Sequence, residues 1–158
     1  MQPGEPPSDQ DLADLARGII DANRYMTLAT ADGDGRPWPA PVWYAHQGYA
    51  EFLWISRPEA RHSRNLAVRP ELAIVIFDST VPAGQGQAVY VEAQAGELGG
   101  PQRDRAIAIY SRRSEADGAG RLHAADVAAP APHRLYHATA SRHFVLGAGD
   151  RRIAVQPG

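Results

Sequence analysis

Leu12, Leu15, Ile19 and Ile20 recur at helical spacing, and Ser8 followed by Asp11 has the form of a capping box. The pattern predicts an amphipathic helix over residues 9–22 of a single domain spanning 9–158, with residues 1–8 as a disordered tail. From Arg24 to Thr30 the period falls to two, with Met26 and Leu28 on one face and Tyr25 and Thr27 on the other, as in a strand. Asp32-Gly33-Asp34-Gly35 is a turn and implies a hairpin. Pro37, Pro39 and Pro41 follow at intervals of two, so one edge of the next strand lacks N–H donors and faces solvent, a bulge or a ligand. A second hairpin at Gln47-Gly48 leads into an alternating strand, Tyr49 to Ser56. Ser56 then suits a helix N-cap and Pro58 a first helical turn, with Pro70 closing the helix. Leu72 to Phe77 is almost wholly apolar and reads as a strand buried on both faces.

After a loop at Asp78 to Gly86, Gln87 to Leu98 reads as a long strand. Pro101 opens a helix reaching about Arg113, and Ser114 to Pro132 reads as a loop with one helical turn near His123 to Val127. Two strands, Leu135 to Ala140 and Phe144 to Leu146, and a short strand or tail from Asp150 complete the chain. Hairpin-joined strands without repeating βαβ units predict a mainly β protein, an antiparallel barrel with peripheral helices.

Composition narrows the chemistry more than the fold. A net charge of −2 gives no support to a nucleic-acid-binding face. All 16 basic residues are arginine, which excludes Schiff-base and P-loop lysines. The absence of cysteine excludes disulfides, thiolate nucleophiles and cysteine metal sites. No run of residues is apolar enough to span a membrane and the N-terminus is too polar for a signal peptide, so a cytoplasmic protein without membrane or nucleic-acid partners is expected.

Arg57, Arg61 and Arg64 stand four and three apart and share one face of the expected helix, with His62 about a quarter turn round. A helix N-terminus with arginine forks is an anion site. The same residues also suit a solvated basic face answering Glu59 and Glu71. Trp38, Trp43 and Trp54, with Tyr44, Tyr49 and Phe52, either floor a pocket for a flat heterocycle or form barrel core. His133 and His137 on a strand lie about 13 Å apart, too far to share a metal, and no metal site is expected. No Gly-x-Ser-x-Gly elbow, P-loop or dinucleotide fingerprint is present, so hydrolase and nucleotide triphosphatase chemistry has no support.

Several of these pieces stand in a familiar order: Tyr25 to Thr30, Asp32 to Pro37, Pro41 to Tyr44, Phe52 to Ser56, Ala60 to Leu66, Arg69 to Ala73, and Gln87 to Ala93. Together they resemble the pyridoxamine 5′-phosphate oxidase-like split barrels that bind flavin mononucleotide (FMN). The resemblance implies a homodimer with FMN at the interface and hydride transfer through the flavin to a small-molecule substrate. It implies that Pro41, Val42, Trp43 and Tyr44 lie along the flavin ring. Trp54, Ile55 and Ser56 would hold the ribityl and phosphate, Arg61 and His62 would grip the phosphate, and Gln87 would approach from its own strand. His62 stands where lysine is more usual. No catalytic side chain is implied. The vitamin-B6 oxidase itself is not expected, since its Arg-x-His motif and closing arginine-proline segment are not found here. A related branch with the same barrel uses the deazaflavin F420, and a non-catalytic flavin- or haem-binding protein is a further alternative.

Overall fold

The computed structural model describes residues 6–158, so the tail expected at the N-terminus lies, for Met1–Glu5, outside the described residues. Helix α1 (Asp9–Ala22) starts at the expected capping box: Asp11 N–H donates to Ser8 Oγ at 3.2 Å and Ser8 N–H to Asp11 Oδ2 at 2.9 Å. Leu12, Ala16 and Ile20 carry its buried face into the barrel core.

Strand β1 (Tyr25–Ala31) pairs antiparallel with β2 (Pro37–Trp43) across the Asp32 turn, where the Asp32 carboxylate accepts from the Asp34 and Arg36 N–H groups at 3.0 and 2.9 Å. β2 is an end strand of the sheet, and its three prolines leave the outer edge without donors. The chain bends at Tyr44 and continues as β3 (Ala45–Gln47), which pairs with β4 (Glu51–Ser56). Helix α2 (Arg61–Val68), β5 (Glu71–Phe77), β6 (Ala88–Glu97), α3 (Gly100–Ala116), β7 (Arg134–Leu146) and β8 (Arg152–Val155) follow.

The sheet order is β2-β1-β5-β6-β7-β4-β3, with β8 added beside β7. Its two end strands are therefore the two halves of one bent strand, and the sheet curls into a split antiparallel barrel. The buried Tyr44 hydroxyl fixes the bend by donating to the Ile20 carbonyl at 2.6 Å. Inside lie Met26, Leu28, Phe52, Trp54, Ile74, Ile76 and Val89. A second cluster, with Leu53, Leu135, Leu98, Ala106 and Ile109, packs α3 against the outside of the barrel.

Four expectations are corrected. Ser56 ends β4 rather than capping a helix; Arg57–Ala60 form a turn closed by Ala60 N–H donating to the Arg57 carbonyl at 3.1 Å, and α2 begins at Arg61. Tyr49 lies in the β3–β4 turn with φ +58° rather than in the strand. The two expected late strands are one, since Ser141 forms a bulge opposite Glu92 and Ala93 instead of ending the ladder. β5 is buried on one face only: Leu72, Ile74 and Ile76 point inward, while Ala73 and Phe77 are exposed.

Candidate functional site

Ser56 and His62 join the end of β4 to α2. The Ser56 hydroxyl lies 2.7 Å from His62 Nε2, so the intervening turn is fastened at both ends. His62 is half-buried, and desolvation holds its pKa below the usual 6.5. It is neutral at pH 7, and one ring nitrogen is committed to Ser56. Positive charge at this corner comes from arginine instead.

Arg61, the first residue of α2, is exposed and lays its guanidinium over the Trp38 ring, 4.3 Å from the centroid. Arg57, Arg64 and Arg69 are also exposed, and among the described residues none of these four arginines enters a salt bridge. The N-cap residue is Ala60, which offers no side-chain acceptor to the first-turn N–H groups. Ser63, in that turn, is buried near the Tyr136 phenol, yet its hydroxyl makes no hydrogen bond of good geometry. Asn65 ties the helix to the sheet: its Nδ2 donates to Thr30 Oγ1 at 3.0 Å, and that hydroxyl donates to the Trp38 carbonyl at 3.2 Å.

Of the residues singled out in the sequence, Ser56, Arg61 and His62 are thus brought together. Pro41 is exposed on the outer face of β2, while Val42 points into the core. Trp43 packs edge-on against Tyr110 of α3 at 4.9 Å, and Ile55 joins the same second cluster. Tyr44 and Trp54 are fully buried, so only their backbone can reach a ligand. Trp54 stacks on Tyr136 at 5.8 Å, with its Nε1–H unpartnered.

Gln87 stands apart. It lies exposed beyond the Phe77–Ala88 end of the β5–β6 ladder, whereas α2 adjoins the opposite end, where Ala95 N–H donates to the Pro70 carbonyl at 2.8 Å. Strand rise over six residues separates these ends by about 20 Å. Sequence reasoning offered Trp38 as pocket floor or core and did not pair it with Arg61. Its alternation with Ala40 and Val42 sets it on the α2 side of β2, and that signal was available.

Two cavities lie elsewhere. One of about 790 Å³ is lined by Asp9, Gln10, Tyr49, His143 and Gly158 among others. There His143 Nε2–H donates to the Tyr49 carbonyl at 2.8 Å. This cavity sits six or more residues along β7 from Arg134, the partner of Ser56, or about 20 Å. The other, of about 290 Å³, lies between α1 and the 78–87 loop and includes Leu15, Ile19, Val81 and Gln87.

The family model described as Pyridoxamine 5′-phosphate oxidase matches residues 12–143. The chain belongs to this family. No curated protein matches the sequence. Among solved structures, a haem-binding protein from Mycobacterium smegmatis is 22% identical with a TM-score of 0.72. The match covers 97% of this chain and 60% of that one, so the chain spans less than two thirds of that protein's length. A FAD-binding protein from Mesorhizobium loti is 21% identical over 82% of this chain and 87% of that one, at a TM-score of 0.58. An F420 reductase is 19% identical over 80% and 94%, also at 0.58. These likenesses establish the split-barrel fold. The ligands they name belong to those proteins.

A phosphate-bearing cofactor of the kind the family implies fits the corner at α2. The uncapped first turn supplies N–H donors, the dipole favours an anion, and Arg61, with Arg57 and Arg64 nearby in sequence, supplies charge; Arg69, at the other end of the helix, donates to the Gly33 carbonyl at 3.2 Å. His62 suits a hydrogen bond rather than an ion pair. Among the described residues no helix is long and apolar enough to cross a membrane.

Burial also lowers the pKa of His143, so both imidazoles bear on acid stability. In the unfolded chain they protonate near 6.5; in the folded chain they do so at lower pH. Between those values the unfolded state binds more protons, and stability falls as pH falls through this window and is fully present above 6.5. Urea unfolding at pH 7.5 and 5.5 is expected to show that loss, and a His62→Gln, His143→Gln double variant to lose less over the same interval. Equal losses in both proteins rule the account out.

Proposed function

We propose that the chain is an FMN-dependent oxidoreductase whose flavin phosphate docks at the N-terminus of α2. The observation that carries this reading is the open first turn of α2 beside Arg61, an anion site whose arginine makes no salt bridge among the described residues, the nearby Asp32 carboxylate feeling it only through space. When bound, the flavin supplies the hydride chemistry. Ser56 and His62 hold the turn beneath the phosphate, Arg61 neutralises it, and the Pro39–Pro41 edge, which offers no N–H groups to another strand, is left for the ring.

A second copy completes the site. Across β2, β1, β5, β6 and β7, the outer face carries a row, Pro41, Thr27, Val75, Tyr90 and Phe144, flanked by exposed Tyr25 and Phe77. Arg152 and Arg142 lie over the Tyr90 and Phe144 rings at 4.0 and 4.6 Å, and a face with exposed Tyr25 and Phe77 beside such arginine-covered aromatics suits a protein partner. In a homodimer packed through it, the partner supplies the wall that one chain does not place near Arg61, Gln87 being about 20 Å away. The phosphate end does not distinguish FMN from F420, because the arginines meet only the phosphate.

Purified protein is expected to carry a flavin spectrum that a reduced nicotinamide bleaches, with mass spectrometry of the released ligand naming FMN or F420. Arg61→Ala is expected to weaken FMN retention about tenfold or more, as loss of a charge-assisted phosphate contact does. Protein that takes up neither flavin nor F420 sinks the reading; haem uptake in their place assigns the barrel to ligand binding alone.

A further inference from the structure

Arg61 is exposed, and a free arginine side chain gives up substantial rotamer entropy when a ligand fixes it. The structure already limits that freedom. The guanidinium carbon sits over the Trp38 ring, 4.3 Å from its centroid, and among the described residues none of its N–H groups makes a hydrogen bond. The two residues come from elements far apart in sequence. Asn65 of α2 donates to Thr30, and Thr30 to the Trp38 carbonyl, so the helix carrying Arg61 and the strand carrying Trp38 are locked together by a buried polar chain. Pro37 and Pro39 fix φ on either side of the indole. Trp38 itself is 39% exposed, a large aromatic ring left at the surface with the arginine as its cover.

We infer that Trp38 is a positioning residue: its indole holds the Arg61 guanidinium in the plane from which the fork donates to the phosphate. The inference rests on the cofactor reading above and assigns within it a role that His62, neutral and tied to Ser56, does not fill. Trp38 acts on the phosphate through Arg61, and the isoalloxazine is not its target.

FMN and riboflavin, which share a ring and differ by the phosphate, separate these roles. With Trp38→Ala, the Kd for FMN is expected to rise about two- to fivefold, the range of an exposed cation–π contact. Riboflavin affinity and thermal stability are expected to stay as in the wild type. Trp38→Phe, which keeps an aromatic face, should restore most of the FMN affinity. In the double variant with Arg61→Ala the Trp38 effect should vanish, because the residue it positions is gone. Equal weakening of FMN and riboflavin overturns the inference in favour of direct ring contact, and unchanged FMN affinity overturns it outright while leaving the cofactor reading standing. A wild-type chain that binds neither ligand overturns both.

Discussion

On the proposed homodimer, Phe77→Glu is expected to give monomers and to weaken retention of the proposed cofactor, with little change in monomer fold. Phe77 is 49% exposed at the end of β5, so one chain gains little from it. In a twofold contact every substitution occurs twice. Losing a buried phenylalanine at about 2 kcal/mol per copy gives about 4 kcal/mol per dimer, and the charge left at the interface adds to that. The dimer dissociation constant should therefore rise at least about a thousandfold. Light scattering after gel filtration checks the mass, and the flavin absorbance of the same peak checks the cofactor. A wild-type monomer that nevertheless holds its flavin removes the case for a shared site; a dimeric Phe77→Glu variant moves the interface elsewhere.

Trp54→Ala is expected to cost about 3–5 kcal/mol, the range for emptying a large aromatic position in a closed core. Against a typical total of about 5–15 kcal/mol, that brings the domain close to unfolding at room temperature. Trp54→Phe should cost much less. Phenylalanine keeps the stack on Tyr136 and removes the Nε1–H, which is buried without a partner. An unsatisfied buried donor costs about 1–3 kcal/mol, so its removal offsets much of the lost ring area. Urea midpoints of the two variants measure the difference. Similar losses in both would mean that the indole N–H has a partner in solution.

The parts of this fold that were legible in the sequence are those set by local chemistry. Ser8 and Asp11 announced α1, Asp32 to Gly35 announced the first turn, and the prolines of β2 marked an end strand. Features set by distant partners were not legible. Ser56 has the right chemistry for a helix cap, but its hydroxyl is taken by His62 across a four-residue turn, and α2 starts later. Polar Ser141, Arg142 and His143 look like a break between strands, and only the register with β6 shows a bulge that lets β7 run on. The apolar run of β5 suggested burial on both sides because sequence cannot tell a covered face from one awaiting a partner. At the site, spacing left Arg57, Arg61 and Arg64 as either an anion site or a solvated face, and the family resemblance singled out Arg61 and His62, which burial makes unlike in charge. Trp38 was legible as a pocket or core aromatic but not as the partner of Arg61, because its link to α2 runs through Thr30 and Asn65, each remote from it in sequence.

The bend at Tyr44 gives the barrel an unusual kind of seam. Its first and last strands are one continuous piece of backbone, so peptide bonds close the ring there where other barrels rely on a ladder. The hairpin turns can be cut or rejoined without changing which strands are neighbours. A cut at Tyr44 leaves every ladder intact and still frees the two ends of the sheet from each other. New chain termini, as in a circular permutant, therefore belong in the exposed 78–86 loop, and the seam itself must stay whole for the sheet to remain a barrel.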